Sequence, residues 1–476
     1  MFSELIKELA AIVGADSVLS SADELLVYEC DGYVVHKNPP QVVVFPTQTQ
    51  QVADVVKACN RHGVPFLARG AGTSLAGGSI PVSGGVMITL TRMNKILEVS
   101  IRDRYAMVQP GLVNVHLTKH LQGTGYHYAP DPSSQGACTI GGNVATNSGG
   151  PHTLKYGVTV NHVLGLEIVT PEGDIIEIGG TAESLPGYDL PGVFVGSEGT
   201  FGICTRATVR LTRDPAAWRT MLAIFETVRD ATSTITEIIA AGIVPAALEM
   251  LDKGIIGALE EAFQFGFPLD AEAVLLIEVD GLEVAVDEEA QQIVDICNRI
   301  GAREVRRATT PEERQKLWKC RKQAFGAIGR LAPSCCTQDG VVPRTKLPEI
   351  LEFIRESGER HDIQIVNVFH AGDGNIHPIL LFDERDEDQI ARVLKSSDEI
   401  LSKCIELGGS VTGEHGIGIE KIDFMKQLFS TNDLEVMNDL RVALNPGGLC
   451  SPGKMLPTAG ACGMEHVQRT GKRAAM

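Results

Sequence analysis

The eleven cysteines of this chain include no Cys-x-x-Cys pair. An odd, scattered set of thiols supports neither a disulfide framework nor a complete iron–sulfur site, and the adjacent Cys335-Cys336 reads as two small buried residues. No apolar run approaches the roughly 20 residues needed to span a bilayer. No Lys/Arg run is present either: 42 basic against 60 acidic residues leave a net charge of −18. That balance argues against a nucleic-acid or anionic-membrane surface, so an anionic substrate needs a local cationic pocket. The opening MFSELIKELAAIVG lacks the basic start of a signal peptide and reads as an acidic amphipathic helix. A soluble cytoplasmic protein is expected. With 476 residues, 43% of them apolar, the chain is long enough for two or three domains.

QVVVFPT at 41–47 reads as a short strand leading into a helix, with Thr47 and Gln50 as a capping box. Val52, Val55, Val56 and Cys59 form its apolar stripe, and Gly63 its stop. A strand, VPFLARG, then opens into RGAGTSLAGGSIP, a glycine loop whose N–H groups can converge on phosphate oxygens. This is no Rossmann fingerprint, because Leu75 stands where the third glycine belongs, and no Walker sequence is present. Residues 129–157 are mostly Gly, Ala, Ser, Thr and Asn, which suggests backbone packed against a large flat ligand or another backbone. VFVGSEGTFGICTRATVRL at 193–211 reads as strand, turn and strand.

After Asp214-Pro215 two successive β-α-β patterns suggest a ferredoxin-like split sheet. In the helix at 311–330, Arg321 shares a face with Leu317, Ala324, Phe325 and Ile328, so its charge needs a partner or must snorkel. VNVFHAGDGNIHPILL at 366–381 reads as a hairpin with its turn at Asp373-Gly374. His370 and His377 then face each other across the ladder, their Cβ atoms about 5 Å apart. TGEHGIG at 412–418 brings Glu414 and His415. Two histidines and a carboxylate suit zinc, manganese or iron(II), with a position left open for substrate. Adjacent residues of an extended strand point to opposite faces, so one of Glu414 and His415 ligates and the other meets substrate unless Gly413 and Gly416 bend the backbone. Histidine is the better general base.

The glycine-rich segments of residues 41–214 resemble the flavin-binding domain of the vanillyl-alcohol oxidase (PCMH-type) superfamily. The resemblance implies that the loop of Arg69, Gly70, Ala71, Gly72, Thr73 and Ser74, with Gly77 and Gly78, binds the FAD pyrophosphate. It also implies isoalloxazine and ribityl contacts from PDP…TIGGNVATN, here Pro130, Asp131, Thr139, Ile140, Gly141, Gly142, Asn143, Ala145 and Thr146. Glu198, Gly202 and Ile203 of GSEGTFGI belong with them. Members that attach FAD covalently carry a histidine directly after the glycine pair. Thr73 stands there, so the expected flavin is non-covalent.

Residues 216–456 resemble the cap of FAD-linked 2-hydroxyacid dehydrogenases, and the chain as a whole looks most like the glycolate oxidase D-subunit group. D-lactate and D-2-hydroxyglutarate dehydrogenases share its layout. The resemblance makes His370, His377 and Glu414 ligands of a divalent metal (Zn, Mn or Fe), His415 the base, Arg321 the carboxylate clamp and Asn375 a further substrate contact. Cys335-Cys336 stand where aromatic residues are frequent in that group. The expected architecture is α+β: an N-terminal helical segment (1–40), a PCMH-type FAD-binding domain (41–214), a ferredoxin-like cap (215–420), a C-terminal helical segment (421–457) and a disordered tail (458–476).

The expected reaction is oxidation of a small 2-hydroxy acid, glycolate or D-lactate, to the 2-oxo acid. Metal-assisted proton abstraction accompanies hydride transfer to flavin N5, and an iron–sulfur or electron-transferring flavoprotein partner accepts the electrons, bringing the chain to a membrane only through that partner. The alternatives are a dehydrogenase of D-2-hydroxyglutarate or another D-2-hydroxy acid, a flavin-free metalloenzyme, and a non-catalytic FAD-binding subunit.

Overall fold

The computed structural model describes residues 2–182 and 186–457; the expected disordered tail, 458–476, lies outside the described residues. Among the described residues the first half holds two larger sheets and a two-stranded ladder of Tyr126–His127 with Thr212–Arg213. Val42–Val44, Val86–Thr89 and Phe66–Arg69 are parallel, with Val18–Leu19 antiparallel on the outer edge. Ile96–Ser100, Tyr105–Val108, Ile203–Arg210, Val163–Val169 and Ile175–Gly179 form an antiparallel second sheet in that order.

The helix Thr49–His62 turns Val52, Val55, Val56 and Cys59 inward, all fully buried, and ends at Gly63 with φ +62. Its start departs from the expected capping box. The helix begins at Thr49, and Gln51 Oε1, rather than Gln50, accepts the Thr47 N–H at 2.8 Å. The N-terminal helix Phe2–Val13 buries Leu5 and Leu9 in the same core, whereas Tyr33, with Val34 and Val35 beside it, packs in a cluster with Leu380, Phe382 and Val393 of the cap. Burying each such aliphatic side chain is worth about 1.5–3 kcal/mol. The chain's other end also returns here: Leu449 O accepts the Phe66 N–H at 2.9 Å, and Ser451 donates to Phe66 O at 2.8 Å.

Val193 and Phe194, expected in a strand, end a short helix, Leu190–Phe194. Asp189 caps it by accepting the Gly192 N–H at 3.0 Å, and Pro191 in its first turn suits a helix start.

The cap sheet begins with Glu304–Arg307, Ala217–Phe225, Ala273–Gly281 and Ala247–Asp252, the two interleaved β-α-β units of a ferredoxin-like arrangement. Ile365–His370 adds to its edge. This places His370 opposite Glu249 in the ladder. The hairpin register differs from expectation: His370 pairs with Asn375, and Asn367 with Pro378. The turn centre thus moves by one residue and each pairing by two. A two-residue shift preserves the face, so His370 and His377 remain on one side, diagonal rather than opposite.

Candidate active site

A cavity of about 360 Å³ lies between the two halves. Its floor is the loop Arg69 to Ser74, where the N–H groups of Ala71, Gly72, Thr73 and Ser74 have no intramolecular acceptor among the described residues. Side chains are excluded there. A Cβ on Gly70 would lie 2.4 Å from Thr139 Oγ1, and Gly72, at φ +74, would put one 2.0 Å from the Arg69 guanidinium. Arg69 is itself buried beneath the loop, donating to Cys30 O at 3.0 Å and Ser79 Oγ at 3.3 Å. Free amides on a glycine-lined floor fit a pyrophosphate.

At the cap side the same cavity reaches His377, Glu414 and His415. His370 Nε2 and His377 Nε2 both stand 3.2 Å from Glu414 Oε1. Each ring is held from behind: His370 Nδ1 is 2.7 Å from Glu249 Oε1, and His377 Nδ1 is 3.3 Å from Gln338 O. Both Nε2 atoms are thus aimed at one carboxylate oxygen: burial opposes charge on His370, but Glu249 and Glu414 raise its pKa well above 6.5, so its imidazolium can donate to Glu414, and a divalent ion in place of that proton would take the two Nε2 atoms and Oε1 as ligands. Glu414 Oε2 is buried without a partner. The donor set therefore fits a divalent ion.

Asp339 solves the problem of adjacent Glu414 and His415. One oxygen, Oδ2, accepts Thr412 Oγ1 at 2.7 Å and the N–H groups of Gly413, Glu414 and His415 at 2.9, 3.1 and 2.8 Å. With Gly416 at φ +86 this coils the loop, and both side chains line one cavity. Burial disfavours the Asp339 carboxylate, but His415, Lys421 and His377 overcome it and hold its pKa well below the usual range. His415 stacks on His377, ring centroids 4.9 Å apart. Burial, reinforced by His377 and opposed by Asp339, lowers its pKa to about 4. It is unprotonated at neutral pH and available as a base.

Residues 40–179 match the family model of an FAD binding domain, and residues 214–455 match that of the C-terminal domain of FAD linked oxidases. The chain belongs to the FAD-linked oxidases. It is similar to the glycolate oxidase subunit GlcD of Escherichia coli (strain K12), 43% identical over 453 residues, covering 94% of this chain and 91% of that one. The corresponding subunit of Bacillus subtilis (strain 168) is 39% identical over 96% of this chain and 97% of its own. A D-lactate dehydrogenase of Anaerostipes hadrus is 32% identical, covering 91% of each. Among solved structures, p-cresol methylhydroxylase with substrate bound shares the fold at a TM-score of 0.82 and 19% identity, over 95% of this chain and 96% of that one. FAD is thus the cofactor, and the chain is an FAD-linked oxidoreductase.

The structure sorts the flavin candidates. Thr73, Gly78, Thr139, Gly142, Asn143, Ala145 and Thr146 line the large cavity. Gly141, Gly202 and Ile203 line a small adjoining one of about 60 Å³. Others stand elsewhere. Ile140 is in the core, the Pro130 carbonyl accepts from Asn114 at 3.0 Å, and Asp131 pairs with His152 at 2.8 Å. Gly77 packs against Ile419 from the cap. Glu198 lines the cavity, but its carboxylate is spent on the backbone of Ile417 and Gly418.

Arg321 is 1% exposed and bonds through Nε to Glu249 Oε2 at 2.5 Å, so it stands behind His370 rather than on the wall of the large cavity. Its Nη2 is buried and unpartnered. Asn375, also with an unpartnered Oδ1, lines a second cavity of about 180 Å³ with His370, Asp373 and Glu414. Sequence reasoning missed Glu249, Asp339, Lys322, Phe325 and Thr337 as parts of the site, whereas Cys335, where the glycolate oxidase D-subunit group often has aromatic residues, does line the cavity. Glu249 had a signal: one carboxylate inside the otherwise apolar AALEML implies a buried partner.

Proposed function

We propose that this chain oxidises a small 2-hydroxy acid, glycolate or D-lactate, to the 2-oxo acid, passing two electrons through non-covalent FAD to a partner acceptor. The observation that carries the chemistry is the convergence of His370 Nε2 and His377 Nε2 on Glu414 beside His415, at the edge of the glycine-floored cavity. A zinc, manganese or iron(II) ion held by these three residues would lower the pKa of a bound hydroxyl. FAD, when bound, supplies the acceptor for the hydride that leaves the substrate Cα.

The protein's own residues do the rest. His415, neutral and enclosed, takes the hydroxyl proton. Arg321, fixed by Glu249 but with Nη2 free, supplies positive charge for the substrate carboxylate, and Asn375 offers a further polar contact. Phe325, Cys335 and Thr337, all uncharged, line the cavity that His377 shares, whereas Lys322 contributes from an exposed position. The chain's similarity to a glycolate oxidase subunit and to a D-lactate dehydrogenase supports a small 2-hydroxy acid as substrate, and the relative's being a subunit supports a partner, proposed here as an iron–sulfur or electron-transferring flavoprotein chain. Among the described residues no helix is long and apolar enough to cross a membrane.

Anaerobic mixing with D- and L-2-hydroxy acids, followed by flavin absorbance, tests the proposal. Glycolate or D-lactate should bleach the flavin. Bleaching by none of the panel overturns the proposed reaction, and bleaching by D-2-hydroxyglutarate alone overturns the assigned substrate.

A further inference from the structure

Four chain segments meet where the flavin domain touches the loop that carries Glu414 and His415. Glu198 crosses the boundary: Oε1 accepts the Ile417 N–H and Oε2 the Gly418 N–H, each at 2.7 Å. Beside it, Ala76 O of the glycine loop accepts the Ile419 N–H at 2.9 Å, and Met455 donates to Gly418 O at 3.1 Å. Lys454, 1% exposed, spans Gly77 O at 2.8 Å and Gly78 O at 2.6 Å. The junction leaves no room for side chains. A Cβ on Gly418 would lie 1.9 Å from Ala76 O, and one on Gly416 2.7 Å from Glu198 Oε1.

Glu198 is 7% exposed and sits at φ +51, a backbone region uncommon for glutamate that persists where the surroundings enforce it. Its two charge-assisted bonds are of the strong class, and loss of either leaves a buried N–H without a partner. Burial raises the Glu198 pKa above the usual carboxylate value, and the two N–H bonds with the charges of Lys454 and Lys421 oppose that rise only in part. The loop is therefore held at both ends, by Asp339 of the cap at residues 412–415 and by Glu198 of the flavin domain at 417–418. Glu414 and His415 are the last residues that Asp339 holds, with Gly416 alone between them and the Glu198 anchor.

We propose that Glu198 is a positioning residue: it fixes the loop bearing the base and the metal carboxylate from the flavin side, and thereby couples FAD occupancy to metal occupancy. A pyrophosphate held by the amides of Ala71 to Ser74 would order the stretch whose next residues, Ala76 to Gly78, are bonded to the base loop and to Lys454. By linkage the coupling is reciprocal. The coupling rests on the metal set proposed above, whereas the positioning of the loop does not.

The test compares full-length wild type with Glu198→Gln, and with Glu198→Asp should the amide variant fail to fold. Hydrogen exchange in the peptide spanning 412–420 should accelerate at least about tenfold in the variant, while exchange at 69–74 and bound flavin absorbance stay unchanged. Removing FAD from wild type should weaken Mn²⁺ binding about tenfold, and the variant should bind Mn²⁺ equally weakly with or without FAD. Normal exchange at 412–420 in an FAD-loaded variant overturns the positioning role. Loss of FAD that excess FAD restores, with normal exchange, makes Glu198 a cofactor contact instead. Mn²⁺ affinity in wild type that ignores FAD overturns the coupling. A wild type that binds none of Mn²⁺, Zn²⁺ and Fe²⁺ removes the metal set and the coupling together, and the exchange measurement still decides the positioning role.

Discussion

Glu249 Oε1 stands 2.7 Å from His370 Nδ1, a contact in which the glutamate is fully buried and the histidine 4% exposed. Its other oxygen holds Arg321 Nε, so one carboxylate orients both a metal-binding imidazole and the cation assigned to the substrate. Burial disfavours ionised Glu249, but His370 and Arg321 more than offset it and bring its pKa down to about 2. Glu249→Gln would keep the shape and turn one acceptor into a donor, facing either His370 or Arg321 with an unmatched N–H. We expect metal affinity to fall about 10–100-fold, the effect of losing an outer partner of a ligating histidine. KM should rise as well, and stability should drop by roughly 3–5 kcal/mol, as when a buried ion pair is broken. Metal titration, steady-state kinetics and urea unfolding check these three effects. A stability loss with unchanged metal affinity and KM would mark the glutamate as a core ion pair and nothing more.

His377 and His415 stack within one cavity yet should fail in different ways. His377→Ala removes a ligand, so bound metal and turnover should be lost together while FAD absorbance remains. His415→Asn should keep metal and FAD and lose about 10²–10⁴ in the rate of flavin reduction, the usual contribution of a general base. Metal analysis and stopped-flow reduction of both variants separate the two roles. Dialysis of wild type against a chelator should reproduce the His377→Ala phenotype and be reversed by Mn²⁺ or Zn²⁺.

Much of this was legible because it depends on short-range pattern. Gly63 stops its helix, the two β-α-β repeats build the ferredoxin-like sheet, and His370, His377 and Glu414 converge as their motifs implied. The hairpin register was not legible to the residue, since a turn of Gly, Asp and Asn permits several centres; the histidines stayed on one face because the shift in pairing was even. Long-range partners were hidden for a different reason. Asp339 and Glu249 act on residues 74 and 121 positions away, and Glu198 reaches 219 positions to Ile417. No periodicity records such distances. Glu198 and Asp131 sit in motifs that accompany flavin, and only the coordinates show their carboxylates turned to the domain junction.

Thr73 lines the cavity and stands where the family resemblance places the histidine of covalently flavinylated members. A threonine hydroxyl is a poor candidate for attachment to the isoalloxazine. Acid precipitation should leave a colourless pellet and a yellow supernatant. Yellow colour retained in the pellet would show a covalent link through another residue.

The two halves are also joined by a histidine whose charge should make stability depend on alkaline pH. His152 Nδ1 lies 2.8 Å from Asp131 Oδ2 on its own domain, and Nε2 lies 3.7 Å from Glu278 Oε1 of the cap. The ring stacks on Trp318, centroids 5.1 Å apart, and Trp318 Nε1 donates to Glu278 Oε2 at 2.7 Å. Burial would lower the imidazole pKa, but Asp131 and Glu278 prevail and raise it to about 10 from an ordinary 6.5. A folded-state pKa raised in this way contributes stability that is fully present below pH 6.5 and is lost as pH climbs through 10. Wild type should therefore lose thermal stability across that window. His152→Gln, neutral throughout, should start lower, by on the order of 3 kcal/mol at pH 6.5, and the two curves should converge near pH 10. Melting temperatures measured every half unit from pH 6 to about 10.5 test this. A gap that persists undiminished at pH 10 would show that His152 joins the domains by packing on Trp318 alone, with its charge playing no part.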